Sequence, residues 1–359
     1  MSQQRFPELG CYCLPGHTKN TADLIAEVRT AERLGLGSAW ISERFDVKEA
    51  GVCIGAAGAV TERIFVGTGA TNVNTRHPVL IATFAASASR LTRGRFALGV
   101  ARGVGIRSTM FGIANVTNAH LEDFVGLMKR LWRGERIGDY RGPLGELPYV
   151  YLGDWLEEDI PILFCGFGAK SLAFAGTVFD GVILHTFLSD EALARAVELV
   201  RRGAERAGRD PLSVKVWSVL ATAHEPSDEQ RLRYLVARMA TYLQAPGYGE
   251  LLVTANGWDT EVLDRFRAHP LVAEMRGGID TVATLEQLRQ IAALIPEAWL
   301  PAAVGSADQC AQRLVEQFRA GADGVIVHAS QPGELAPVLE AYARVRDDAR
   351  FEGRSARPV

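Results

Sequence analysis

GERIGDYRGPLGELPYVYLGDWLEE, residues 134–158, interrupts an otherwise regular alternation, and its reading decides the fold. Read as a solvated linker, it would divide the chain into two doubly wound domains; read as packed chain, it leaves one closed barrel. Its glycines and prolines suit a long connection. Tyr140, Tyr149, Tyr151 and Trp155 make it too aromatic for a flexible spacer. It is therefore taken as a packed connection inside a single domain spanning 1–359. On either side, short apolar runs alternate with helical periodicity. Strands are expected at 9–14, 38–42, 64–69, 96–100, 161–165, 181–184, 214–221 and 323–328. Helices are expected at 20–34, 47–60, 78–91, 118–132, 169–178, 190–207, 306–318 and 334–345. Pro78 suits a first helical turn, and Ser306 with Gln309 suits a capping box. The segment from about 225 to 301 holds more helical pattern than one barrel helix needs. The expected fold is α/β: a (β/α)8 TIM barrel with a helical insertion before the last strand. The polar tail FEGRSARPV is expected to fray.

With 359 residues and 48% hydrophobic content, the chain can bury a core without disulfides. Thirty-nine basic and 42 acidic residues leave a charge of −3, with no footprint for nucleic acid or a membrane surface. Five cysteines without CxxC spacing argue against a disulfide framework or zinc ribbon. Cys11 and Cys13 share one strand face, but two thiols alone do not make a metal site. The seven histidines (His17, His77, His120, His185, His224, His269 and His328) show no ligand spacing, so no metal is expected. No apolar run approaches the roughly twenty residues of a membrane span, and MSQQRFPELG lacks a signal-type apolar region. A cytoplasmic address is expected.

Walker A, HExxH and GxSxG patterns are absent. A barrel carries its chemistry at the C-terminal ends of its strands, so the strand exits hold the candidates. Gly99-Val100-Ala101-Arg102-Gly103-Val104-Gly105 leaves the fourth strand. A dinucleotide site would need a helix at once and an acid closing a second strand, whereas Glu122 and Asp123 lie in a helical pattern. The segment reads as a glycine turn or as a cofactor contact. Cys165-Gly166-Phe167-Gly168-Ala169-Lys170-Ser171 joins a strand to a helix, where backbone N–H groups and Lys170 suit an anion. A tight turn with a solvated lysine is the alternative. Thr75-Arg76-His77-Pro78 presents either a ligand-facing arginine or one stitching neighbouring loops. Glu43 and Arg44, after the second strand, form an exposed ion pair or a site. His185 ends the sixth strand on the active face; His328 is a weaker candidate, because the last strand can be buried there.

Six stretches in order carry a resemblance over most of the chain. They are 38–45 (SAWISERF), 66–78 (VGTGATNVNTRHP), 91–99 (LTRGRFALG), 161–168 (PILFCGFG), 175–183 (AGTVFDGVI) and 320–325 (AGADGV). The sequence resembles the bacterial luciferase-like flavin and deazaflavin oxidoreductases. Thr71-Asn72 followed by Thr75-Arg76-His77-Pro78 is similar to the branch that uses coenzyme F420, a 5-deazaflavin that transfers hydride. The resemblance implies a cofactor at the C-terminal rim, with the insertion shaping the substrate pocket. It implies that Gly69, Ala70, Thr71 and Asn72 back the ring, with a cis peptide between Gly69 and Ala70. Ala101, Arg102 and Gly103 would line the fourth strand's exit near the cofactor. Gly166, Phe167, Gly168, Ala169 and Lys170 would hold the phosphate end, with His185 and Thr186 nearby.

The sequence departs from the family where many relatives carry an acid–His pair, since Glu43-Arg44 stands there. Arginine cannot act as a general base, which leaves Glu43 to polarise or deprotonate and Arg44 to bind an anion or alkoxide. Arg102 occupies the place of another expected acid. This positive rim would suit a carboxylate or carbonyl substrate. The implied activity is F420-dependent hydride transfer to or from a small organic molecule. The alternative is an FMN monooxygenase served by a partner flavin reductase, and the third reading is a binding protein without turnover. A homodimer is expected, as in relatives.

Overall fold

Eight strands, buried along most of their length, form the inner layer: β1 (Phe6–Tyr12), β2 (Leu36–Ile41), β3 (Phe65–Thr68), β4 (Phe96–Ala101), β5 (Ile162–Cys165), β6 (Gly181–Ile183), β7 (Lys215–His224) and β8 (Gly324–Ala329). Each pairs in parallel with the next. β8 returns to β1 through Leu9↔Val325, so the sheet closes into a barrel. This computed structural model describes residues 5–16, 20–45, 47–103, 105–153 and 159–359. The start MSQQ, His17, Val104 and Trp155, considered above, lie outside the described residues.

Among the described residues, eight helices cover the barrel: α1 (Leu24–Arg33), α2 (Ala50–Ala59), α3 (Pro78–Leu91), α4 (Asn118–Trp132), α5 (Ala169–Val178), α6 (Asp190–Arg206), α7 (Ala307–Arg319) and α8 (Ala336–Val345). The starts of α3 and α7 follow the sequence, whereas α1, α2 and α8 begin four, three and two residues later than expected. Pro78 opens α3 behind His77, whose Nδ1 accepts from the Val79 N–H. Ser306 and Gln309 form the capping box of α7. β7 runs three residues past its expected end because a short strand, Ala303–Gly305, pairs with it there.

Two expectations need correction. Residues 134–158 are not a plain connection: Ile137–Gly142 and Gly145–Val150 pair as an antiparallel hairpin. Ile137, Leu147 and Val150 are buried, and the Tyr140 hydroxyl donates to Asp123 on α4. Glycines and prolines interleaved with the apolar residues hide the two-residue period of these strands. Nor is the tail frayed. Phe351 packs edge-on against Phe318, and the Trp217 indole N–H donates to the Pro358 carbonyl at 2.8 Å. Val359 rests against the barrel's interior cluster. Two apolar residues and a carbonyl facing a buried indole outweigh the polar composition of the tail.

The barrel is filled by side chains, with Trp40 and Trp217 fully buried and 6.3 Å apart. Glycine makes room for both: a Cβ on Gly67 would lie 2.5 Å from Trp40, and one on Gly324 2.4 Å from Trp217. The insertion, 225–302, contains the helices Ala237–Gln244, Tyr248–Asn256, Thr260–Ala268 and Leu285–Ala292. It has its own apolar cluster around Leu235, Leu252, Phe266 and Ile291, with Trp258 stacked on Trp299 at 4.8 Å. No helix among the described residues is long and apolar enough to cross a membrane.

Candidate functional site

The strand exits of β1 to β8 and the insertion enclose a cavity of about 600 Å³. Tyr12 ends β1, Ser42 and Glu43 follow β2, and Gly69, Ala70 and Asn72 follow β3. Ala101, Arg102 and Gly103 come from β4, Cys165 to Gly168 from β5, Ile183 to Thr186 from β6, Val219 from β7 and His328 from β8. The insertion adds Arg238, Tyr242, Pro246, Gly247, Tyr248 and Leu251. At the mouth, Phe45 and Phe111 meet edge-on at 5.3 Å, and both are exposed.

Most residues singled out by the sequence meet here. Glu43, Gly69, Ala70, Asn72, Ala101, Arg102, Gly103, Gly166, Phe167, Gly168, His185 and Thr186 all line the cavity. Four do not. Thr71 is buried and turned to Glu43; Ala169 and Lys170 are exposed on the first turn of α5; Arg44 sits behind the wall. Arg44 Nη1 donates to the Gly16 carbonyl at 3.1 Å, and its Nη2 lies 4.0 Å from Asp280. The partner of Glu43 is therefore Arg76, not Arg44. Arg76 reaches Glu43, Glu49 and the Thr71 hydroxyl, which is the loop-stitching role.

The Gly69–Ala70 peptide is cis. The Ala70 carbonyl accepts from the Glu43 N–H at 3.0 Å, and Thr71 Oγ1 donates to Glu43 Oε2 at 2.7 Å. This fixes the carboxylate at the cavity edge with its side chain almost wholly buried. Partial burial works against the charge of Arg76, but its bonds to Glu43 and Glu49 outweigh that and raise its pKa. Arg102 is engaged as well. It donates to the Val116 carbonyl at 2.8 Å and to Asn118, so it braces the β4 exit.

His185 lies in an aromatic cage, its ring 4.5 Å from Phe167, 4.6 Å from Tyr242 and 5.4 Å from Tyr248. Burial pushes its pKa down to about 3; the Thr186 main chain opposes this and nearby Arg238 adds to it, so the ring is neutral at ordinary pH. Among the described residues, neither ring nitrogen has a hydrogen-bond partner. Burial likewise lowers His328, which packs edge-on against Tyr12 at 5.1 Å. Next to the wall, Lys48 Nζ donates to the Leu14 carbonyl at 2.5 Å, and burial lowers its pKa to about 8. Among the described residues, no cluster of His, Cys, Asp and Glu could hold a metal ion.

The two ends of the cavity differ. Near β3 it is walled by main chain, where a Cβ on Gly69 would lie 2.8 Å from the Tyr12 hydroxyl. At its other end, α5 begins behind Gly168 with no side-chain cap, which leaves its first-turn N–H groups for an anion. Sequence reasoning missed Tyr12, Arg238, Tyr242 and Tyr248. The cluster Tyr242-Leu243-Gln244-Ala245-Pro246-Gly247-Tyr248, aromatic around a Pro-Gly turn inside a helical region, was the signal that could have found the last two.

A closed (β/α)8 barrel with its cavity at the C-terminal rim is the architecture of many enzymes. Residues 8–324 match the profile of the luciferase-like monooxygenase family, and the chain belongs to it. It is 27% identical over 222 residues to the F420-dependent glucose-6-phosphate dehydrogenase of Segniliparus rotundus. That match covers 58% of this chain and 66% of the dehydrogenase, just under two thirds of its length. The fold is similar to the coenzyme F420 dependent tetrahydromethanopterin reductase of Methanopyrus kandleri, with TM-score 0.77, 18% identity, and coverage of 96% of this chain and 99% of that one. It is also similar to the oxygenating constituent of 3,6-diketocamphane monooxygenase of Pseudomonas putida, in complex with FMN. There the TM-score is 0.65 at 19% identity, with 96% and 98% covered.

Proposed function

We propose that this protein is an F420-dependent oxidoreductase acting on a small organic molecule. The observation that carries the reading is the cavity's two-ended build. One end is the main-chain wall at Gly69, Ala70 and Asn72; the other is the uncapped start of α5 beside Gly166, Phe167 and Gly168. The sequence relative named above supports a deazaflavin. When bound, that cofactor supplies a carbon centre that gives or accepts a hydride.

Thr71 and Asn72 hold the β3 exit, while Ala101, Arg102 and Gly103 shape the edge beside it. Ala169 and Lys170 extend the anion site outward from Gly168, and His185 and Thr186 close it from β6. Glu43, oriented by Thr71 and Arg76, is the group of this wall able to hold or accept a proton. Arg44, outside the cavity lining, braces the loop behind it through the Gly16 carbonyl. We assign the chain a homodimeric state, which light scattering on a sizing column checks.

Titration with F420 and with FMN, followed by fluorescence, tests the assignment. F420 is expected to bind more tightly; equal or reversed affinities overturn it. The second reading, an FMN monooxygenase fed by a flavin reductase, is favoured by the fold shared with the FMN-bound monooxygenase. It requires oxygen consumption with reduced FMN, which the deazaflavin reading excludes.

A further inference from the structure

One phenol of the insertion accepts a hydrogen bond from an arginine and, among the described residues, finds no acceptor for its own proton. Arg238 and Tyr242 stand four residues apart on the helix Ala237–Gln244 and so share a face. A π-helical turn at Leu232–Val236 precedes them, a device that recurs at functional sites. The Asp280 carboxylate binds Arg238 Nη1, and Arg238 Nη2 donates to the Tyr242 hydroxyl oxygen at 2.7 Å. The guanidinium also lies 5.0 Å from the centre of the Tyr242 ring. That ring is clamped, stacked on Tyr248 at 5.4 Å and edge-on to His185 and Phe187.

We propose that Tyr242 donates a hydrogen bond to the substrate oxygen on which negative charge develops, with Arg238 and Asp280 as its positioning residues. This rests on the reading of the cavity as a place where hydride is exchanged at a carbon bearing oxygen. A phenol has one O–H to give. Arg238 already occupies one lone pair on its oxygen, and among the described residues no group accepts the proton. Tyr242 lines the cavity, so that proton is available to a ligand there. A charge-assisted bond onto the oxygen polarises the O–H further, most strongly where water is excluded.

The other two tyrosines on the cavity lack this arrangement. Burial pushes the Tyr12 and Tyr248 hydroxyls up, the closeness of Tyr242 adds to both, and neither oxygen accepts from an arginine among the described residues. Burial opposes the charge of Arg238, but Tyr242 and Asp280 more than restore it, so the brace stays cationic. The ligand class is a small carbonyl compound or its alcohol, whose oxygen carries partial negative charge at the transition state. A phenolate mimics that oxygen in a stable form.

4-Nitrophenolate, whose yellow anion reports its own protonation, is titrated into the full-length protein and into variants. The wild type is expected to bind it as the anion. Tyr242→Phe keeps the stacking and is expected to bind about 10- to 100-fold more weakly, the scale of one hydrogen bond to a charged group. Tyr242→His restores a donor on a planar ring and recovers part of the loss. Arg238→Lys is expected to weaken binding, and the double variant Tyr242→Phe/Arg238→Lys to be no weaker than Tyr242→Phe alone. An additive double variant overturns the positioning role. No binding by the wild type, or equal binding by Tyr242→Phe, overturns the proposal. F420 affinity, measured in parallel, is expected to stay within twofold in every variant. If the phenolate pattern holds while F420 fails to bind the wild type, the hydride reading falls and the donor stands.

Discussion

Along the barrel wall the cavity meets backbone: Gly69, Ala70, Gly103, Gly166 and Gly168 bring main chain to its surface. Along the insertion wall it meets large side chains, with Arg238, Tyr242 and Tyr248 held by one another and by Asp280. The first wall hangs on eight closed strands and is fixed by the ladder that makes the barrel. The second hangs on short helices packed around a separate apolar cluster. Main chain can receive many flat ligands of one shape, whereas a constellation of side chains discriminates among ligands. The barrel wall thus suits a constant partner, and the insertion wall a particular one.

The strongest way to break this contrast is to hollow out the barrel. Trp217→Ala removes a fully buried indole that also holds the tail through Pro358. A loss of about 3–5 kcal/mol is expected in urea unfolding, with phenolate and cofactor binding lost together. If only one of the two is lost, the walls are less interdependent than the closed sheet implies.

His185 lies where the walls meet, and its effect is tied to pH. The folded state keeps it neutral down to about 3, whereas the unfolded chain takes up a proton below about 6.5. The unfolded state then binds more protons, so stability falls as pH drops from about 6.5 towards 3. A tenfold difference in proton affinity between the two states corresponds to about 1.4 kcal/mol. His185→Phe, which suits the cage of Phe167, Tyr242 and Tyr248, is expected to flatten that decline in thermal melts. An unchanged slope would place the acid sensitivity elsewhere.

Two smaller effects sharpen the assignment of roles. Glu43→Gln is expected to lower turnover about tenfold or more while leaving F420 affinity nearly unchanged, because the amide keeps the shape but cannot take the proton. Retained turnover would make Glu43 only the partner of Arg76. Lys170→Ala is expected to weaken cofactor binding by about 0.2–1 kcal/mol, since the side chain is exposed, and the loss should shrink with added salt. Unchanged affinity at low ionic strength returns Lys170 to the solvated surface.

The barrel wall was legible in the sequence, because what builds it is local. Apolar runs, Pro78 at a helix start and the Ser306–Gln309 box announce elements within a few residues. Glycines after β4 and β5 announce where the main chain is exposed. The pairing of Glu43 with Arg76 was not legible, since the two lie 33 residues apart and only strand order brings them together. Arg44, next in sequence to Glu43, looked like the natural partner and turns away. The insertion wall was least legible. Arg238 and Asp280 are 42 residues apart on helices whose mutual packing no local period encodes. The hairpin from Ile137 was obscured in a different way, by glycines and prolines inside its own strands.

Trp40, Trp217 and the tail residue Val359 fill the barrel below the cavity. Among the described residues these side chains stopper that end, and the cavity opens at the rim where Phe45 meets Phe111. Two guests of unequal depth in such a vessel arrive in one sequence and depart in the reverse. The deeper guest cannot be exchanged while the shallower one is seated. The kinetic order of such a protein is set by the plug at its base as much as by the groups around its mouth.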